Sequence, residues 1–425
     1  MTLVRGFLAD TPSDPFRGGV MRTESDGGLL VRDGIITARG GFAVLQQEWP
    51  QEPVLDLRGG VVLPGFVDTH VHFPQVRIVG SLGMPLLDWL QQRALPEEAR
   101  LADAAYANVV ATEFVTGLAR AGTTSALVFG AHFPDAVSAL FEAAERVGLR
   151  VTSGLVVSDL VLRDDLLITP ELARQESLTL ADRWHGHGRL RYAVTPRFSL
   201  SCTDAMLASC ADVLDAVPGA LFTSHVNENP VEIAQVRTRF GTGYVDSYDR
   251  HRLVGRHTVL AHNVHADDAE LRVLAERGAV VAHCPSSNSG LGSGLFPMRR
   301  HLEQGVRVAL GTDVGGGTSF SMLREGLQAF FVQQLLGPAG VPLGATELLW
   351  LATAAGANAL GLAEVGHLSV GRRFDAVWVR PAPGSPLEVP LRHAESETDA
   401  VARVFTLASP MDVAGVWIDG DRVHG

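Results

Sequence analysis

Between about residue 61 and residue 313, short apolar runs rich in β-branched residues alternate with longer amphipathic stretches. The apolar runs fall at 61–72, 123–129, 150–157, 190–196, 220–228, 258–264, 279–285 and 306–313, and their length and composition read as buried strands. Helical periodicity fills the gaps, at 101–121, 136–147, 203–217 and 267–277 among others. Eight strand–helix alternations predict an α/β protein, a parallel (β/α)8 barrel of the TIM type. Two long inserts, 75–100 and 229–256, follow the first and fifth strands and are placed to cover the carboxyl mouth as lids.

The two ends of the chain have a different pattern. Short β-like pieces separated by glycines occupy 28–34, 35–39 and 54–57, and β character returns after Gly366 in 367–379, 404–407 and 416–420. We expect both ends to form one small discontinuous β-sandwich, residues 1–63 with 366–425, beside a barrel of residues 64–365. The apolar stretch 347–363 is interrupted by Thr353, Gly356, Asn358 and Gly361 and reads as buried helix, not as a membrane span. Residues 381–390 read as loop.

Composition narrows the partners. At 425 residues and 46% hydrophobic, the chain can bury a large core. A net charge of −12 argues against nucleic acid, whose phosphates it would repel, and leaves a small neutral substrate open. Three cysteines, Cys202, Cys210 and Cys284, form no CxxC pair, which fits a reducing cytosol better than a disulfide framework. The first residues have no apolar signal core, so a soluble cytoplasmic protein is expected. All 35 basic residues are arginine, and no carboxylated lysine can bridge two metals.

The candidate chemistry gathers at the strand ends. His70 and His72 are two apart on one strand, so their imidazoles share a face. Pro74 follows, which puts both at the carboxyl end, where a parallel barrel carries its active site. Later strands end in Arg197-Phe198, His225 with Glu228, His262, His283 and Asp313. Taken singly, each has a structural explanation: Asp313 could cap a helix, His265 and His283 could be structural, Cys284 could be core, and Trp89 and Phe198 could be lid packing. Convergence on one rim favours a metal site. Zinc takes imidazole nitrogen and carboxylate oxygen, and a catalytic site keeps a position for water. His70, His72, His225 and Asp313 can supply the ligands, which leaves Glu228 and His262 for proton transfer.

The segments Pro64-Gly65-Phe66-Val67-Asp68-Thr69-His70-Val71-His72, His225 with Glu228, Ala261-His262, His283-Cys284-Pro285-Ser286-Ser287-Asn288 and Gly311-Thr312-Asp313 resemble the motifs of the amidohydrolase superfamily across essentially the whole chain. Within it, His72-Phe73-Pro74-Gln75, Pro85-Leu86-Leu87-Asp88-Trp89-Leu90 and Thr195-Pro196-Arg197-Phe198-Ser199-Leu200-Ser201-Cys202 resemble the guanine deaminases. The resemblance implies hydrolysis of guanine to xanthine and ammonia, one zinc (or iron) per chain, and a homodimer. It also implies roles: Glu228 as proton shuttle, His262 and Asp313 as catalytic partners, and Asp313 as a ligand as well. Arg197 would read the O6/N7 edge of guanine, Gln75 the N2/N3 side, and Phe198 or Trp89 would stack on the ring. Rival readings are another aminated heterocycle (8-oxoguanine, a pterin, a triazine) or an inactive scaffold of the same fold.

Overall fold

In the computed structural model, which describes residues 1–425, a run with no exposed position sets the frame. Every side chain of Phe66–His72 is buried, as befits a strand covered on both faces. We label it β1. Seven parallel neighbours follow in chain order: Thr123–Phe129 (β2), Arg150–Ser153 (β3), Arg191–Pro196 (β4), Leu221–Val226 (β5), Thr258–His262 (β6), Val280–His283 (β7) and Arg307–Leu310 (β8). They lie side by side in sequence order, with the two-residue strand Val156–Val157 also paired to β4.

Closure from β8 back to β1 uses hydrogen bonds beyond the regular ladder. The Thr69 hydroxyl donates to Leu310 O (2.7 Å), Asp313 N–H to His70 O (2.8 Å), and His72 N–H to Val314 O (2.7 Å). The expected eight-stranded barrel is therefore present. Helices pack around it, several of them starting at side-chain caps. Asp103 accepts from Ala105 and Tyr106 N–H at Ala104–Arg120, and Asp267 with Glu270 forms a capping box at Asp268–Arg277.

Both chain ends build a second, seven-stranded sheet. Its order is Asp421–His424, Val413–Ile418, Ala376–Val379, Val54–Pro64, Thr2–Asp10, Arg22–Arg32 and Ile35–Gly41. The carboxyl-terminal strands join the amino-terminal ones through antiparallel pairing of Ala376–Val379 with Val54–Pro64. Between Pro64 and Phe66 the chain leaves this sheet for β1, so the two sheets are one residue apart in sequence. Arg150, at the start of β3, forks onto Asp375 at 3.1 and 3.2 Å and ties the tail to the barrel.

Two segments of the tail differ from the sequence reading. Residues 388–390, read as loop, begin the short helix Glu388–Arg392. Residues 404–407, read as strand, end the helix Glu397–Leu407. Ala400, Val401, Val404 and Phe405 bury at helical spacing there, and the Ser396 side chain caps the first turn. The stretch 347–363 does contain buried helix, as two segments, Ala345–Ala352 and Ala354–Ala359, that meet at Thr353. No helix is long and apolar enough to cross a membrane. The two inserts fold into short helices, Leu86–Trp89 and Leu95–Ala99 in the first, Pro230–Phe240 and Tyr244–Asp249 in the second.

Candidate metal-dependent active site

The carboxyl ends of β1, β5 and β8 deliver three imidazoles and one carboxylate to a common point. His72 Nε2 lies 3.1 Å from His70 Nε2 and 3.3 Å from His225 Nε2. Asp313 Oδ1 lies 3.3 Å from His70 Nε2 and 3.1 Å from His72 Nε2. All four residues are buried, and Phe129, at the end of β2, packs under His70, His72 and His225. His225 Nδ1 donates to Arg197 O at 2.6 Å, so its Nε2 faces the cluster as a bare lone pair. Burial lowers the pKa of His70, lowers that of His72 to about 4, and lowers that of His225 well below the usual value. The imidazoles are therefore neutral, with nitrogens suited to ligation.

Neutral nitrogens and a carboxylate oxygen this close repel one another unless a cation lies among them. Ligands about 2.1 Å from a tetrahedral ion stand about 3.4 Å apart, close to the spacing seen here. The donor set thus fits one divalent ion. His262 borders the same group: His70, His225, His262 and Asp313 offer atoms that all lie within 4.8 Å of one another. His72 approaches the other donors more closely than that, and completes the tighter set.

The surrounding groups fix these side chains. Asp68, buried beneath them, accepts from His70 N–H (3.2 Å), Thr312 N–H (3.0 Å) and the Thr312 hydroxyl (2.5 Å), which ties the end of β1 to the turn after β8. His262 and Asp313 have left-handed backbones, φ 72° and 49°, a region that costs non-glycine residues energy. His262 is held by Nδ1 donating to Asn288 Oδ1 at 2.9 Å, which leaves its Nε2 as an acceptor. That Nε2 lies 3.4 Å from Glu228 Oε2. Glu228 also accepts from the Ser293 hydroxyl at 3.1 Å. Burial, followed by the nearby Asp313 charge, raises the Glu228 pKa to about 8.

All the expected recognition residues meet beside this cluster. A cavity of about 30 Å³ is lined by Gln75, Trp89, Arg197 and Phe198 together with His72, His225, Glu228, His262 and Asp313. That space holds a water or two. A far larger groove of about 1220 Å³ lies on the terminal sheet and has no histidine in its lining, so size does not locate the chemistry. His265 and His283 stay outside the site, as expected: His265 bonds to Ser293 O and His283 stacks on Phe296.

Several site residues were not singled out from the sequence. Glu98, on Leu95–Ala99, accepts from Arg197 Nε (3.1 Å) and Nη2 (2.8 Å). It also accepts from Gln75 Nε2 (2.7 Å) and His132 Nε2 (3.2 Å). Burial opposes its ionisation, but the Arg197 charge and the His132 hydrogen bond outweigh this and lower its pKa to about 2. Glu232, one helical turn past Glu228, also faces the cavity, and its neighbour Tyr244 donates to it. Leu86, Leu87, Leu90 and Leu291 close the apolar side.

Known proteins match this architecture. A probable guanine deaminase of Deinococcus radiodurans is 55% identical over 100% of this chain and 98% of its own length. The structure of Escherichia coli guanine deaminase superposes with a TM-score of 0.95 at 36% identity, covering 100% of this chain and 99% of the other. A guanine deaminase of C. acetobutylicum, solved with guanine in its active site, shares the fold at TM-score 0.92 and 24% identity, over 99% of each chain. The sequence model of the amidohydrolase family matches residues 61–423, and with it the barrel, the His/Asp metal-binding group and the carboxyl-terminal strands of the second sheet. The chain belongs to the amidohydrolase family.

Proposed function

We propose that this protein is a guanine deaminase, converting guanine and water to xanthine and ammonia. One observation carries the reading: Arg197 and Gln75 face the same buried cavity as Glu228 and the His/Asp group, in a chain 55% identical throughout to a relative named for that activity. In this reading His70, His72, His225 and Asp313 hold one divalent ion, zinc by the nature of the donors. When bound, such an ion lowers the pKa of a water to near ~7 and so supplies a nucleophile in neutral solution.

The remaining chemistry belongs to side chains. Glu228 takes a proton from the attacking water and passes it to ring N3 as the new C–O bond forms at C2. The new C2 hydroxyl then gives its proton, by way of Glu228, to the exocyclic amine; the C–N bond breaks, the C2 carbonyl forms and ammonia leaves. The raised pKa of Glu228, about 8, suits a group that must both accept and return a proton near neutrality. In its protonated form it can donate to the bare Nε2 of His262, 3.4 Å away. His262 in turn orients the attacking oxygen.

Recognition follows from the unused donors. Glu98 occupies the Nε/Nη2 edge of Arg197. The end-on Nη1/Nη2 edge remains, and two parallel N–H groups there match the O6 and N7 acceptors of guanine. Gln75 is more constrained than its side chain alone suggests: its carbonyl accepts Gly315 N–H at 3.1 Å and one N–H goes to Glu98. Its Nε2 also lies 3.4 Å from His72 Nδ1, so the amide is held on three sides. Adenine would place its 6-amino group against the Arg197 donors, and such buried mismatches discriminate strongly. Trp89 and Phe198 supply flat apolar surface for the ring. A purine needs more room than about 30 Å³, so Leu86–Trp89 or its neighbours must move for entry. A homodimer in the cytosol, and the division into a barrel of 64–365 and a terminal unit, belong to the same reading.

The test is a panel of guanine, adenine, 8-oxoguanine, a pterin and a triazine, followed by ultraviolet absorbance and ammonia release. Guanine should give xanthine at the highest kcat/KM. A clear preference for another ring would replace guanine as the substrate.

A further inference from the structure

Glu98 is the most heavily bonded carboxylate near the cavity, and the mechanism above gives it no part. It lies in neither the barrel strands nor the His/Asp cluster, but on Leu95–Ala99 of the first insert. With Arg197, Gln75 and His132 it forms a closed set of buried polar groups; Glu98 is only 4% exposed. Arg197 is 2% exposed, and its only ion-pair partner is Glu98.

We propose that Glu98 is the positioning residue for purine recognition: the first insert, through this one carboxylate, fixes which donors Arg197 turns toward the oxygen-bearing edge of the substrate and holds the Gln75 amide in place beside it. The inference rests on the guanine reading and deepens it. A guanidinium has a rigid fork of donors, so holding one edge sets the direction of the other. Glu98 takes the Nε/Nη2 edge and aims the end-on edge. The same carboxylate, with Gly315 N–H on the other side, prevents the Gln75 amide from flipping. Arg197 can thus present only donors, in a fixed direction, which selects acceptors in the ligand. Glu98 also neutralises Arg197. The carboxylates that line the cavity are Glu228, Glu232 and Asp313, so an unanchored Arg197 would turn toward the groups that move protons or hold the ion. Because Glu98 is carried by the insert, the recognition edge is complete only when the insert is seated.

The experiment is a double-mutant cycle on the full-length, zinc-loaded enzyme: wild type, Glu98→Gln, Glu98→Asp, Arg197→Met and the Glu98→Gln/Arg197→Met pair. Guanine and 2-aminopurine, which lacks O6, are compared with kcat and KM measured separately and metal content checked. Glu98→Gln sets an amide NH2 against donors and should raise the guanine KM by at least ~10-fold, with a smaller change in kcat. The 2-aminopurine KM should move much less. Glu98→Asp keeps the charge and should recover part of the loss, and it remains informative if the glutamine variant folds poorly. In the Arg197→Met background, Glu98→Gln should add no more than ~2-fold, the part that runs through Gln75, because its main effect runs through Arg197. Losses that multiply independently, or that are equal on both substrates, overturn the proposal while leaving the guanine reading intact. Wild-type enzyme that leaves guanine unchanged removes that reading, and the proposal with it.

Discussion

Replacing Glu228 by glutamine should make the enzyme nearly inactive and, when stripped of metal, more stable at alkaline pH. The side chain is fully buried, and its pKa is raised from 4.5 to about 8, first by burial and then by Asp313. A carboxyl whose folded pKa is raised stabilises the fold below its unfolded value and loses that contribution as pH rises through the folded value. The advantage of Glu228→Gln should thus be negligible below pH 4.5, grow between 4.5 and about 8, and level off above. At about 1.4 kcal/mol per pH unit, the ceiling is about 5 kcal/mol. Unfolding entropy near 2.1 cal/mol/K per residue amounts to about 0.9 kcal/mol/K for a chain of this size, so Tm should rise by up to about 5 °C at pH 9. Glutamine preserves the local bonds: its oxygen can still accept from Ser293 and its N–H can donate to His262 Nε2. Loss of the general acid/base should lower kcat by ~100- to 10,000-fold. Scanning calorimetry of chelated protein from pH 5 to 9, alongside guanine turnover of the zinc-loaded form, reads both effects. A Tm at pH 9 no higher than wild type would refute the burial argument, and near-normal kcat would refute the proton-shuttle role.

Among the other predictions, His72→Ala should lose most of its metal by elemental analysis, while His262→Ala keeps about one equivalent; the opposite pattern would make His262 the ligand. Arg197→Met leaves the Glu98 carboxylate buried without its cation, a change that typically costs ~3–5 kcal/mol and should lower Tm by about 3–6 °C. The Glu98→Gln/Arg197→Met pair should regain much of it, and an unchanged Tm in the single variant would show that the ion pair contributes nothing. Burial raises the pKa of Glu325 to about 8, so Glu325→Gln should gain stability over wild type as pH rises from 4.5 to 8, and a gap independent of pH would contradict this.

The barrel was legible because strands covered on both faces carry consecutive apolar residues, as in Thr258–His262 and Val280–His283, which are polar only at their ends. The metal group was legible because two ligands sit two apart on one strand and the others end their own strands. The helix Glu397–Leu407 misled for a local reason: Val404 and Phe405 have strand-like side chains, and their helical spacing shows only when Ala400 and Val401 are included. The strand Thr2–Asp10 was passed over because its apolar residues come in adjacent runs and do not alternate, although it pairs on both sides. Glu98 left no trace in the sequence. Its partners lie 23, 34 and 99 residues away, and an acidic residue in a charged insert looks like solvated surface until the fold buries it. The place of Arg197 beside the cavity was legible, but the edge it has free was not, because that depends on Glu98.

In the proposed reaction, one divalent ion, held by the histidines of β1 and β5 with Asp313, and Glu228 together turn guanine into xanthine. Zinc titrated into chelated enzyme, with xanthine followed by its absorbance, tests this most directly. Activity should be absent at the start, rise in proportion to added zinc, and stop rising at about one equivalent per chain. Full turnover before any metal is added, or a break at two equivalents, would contradict the account.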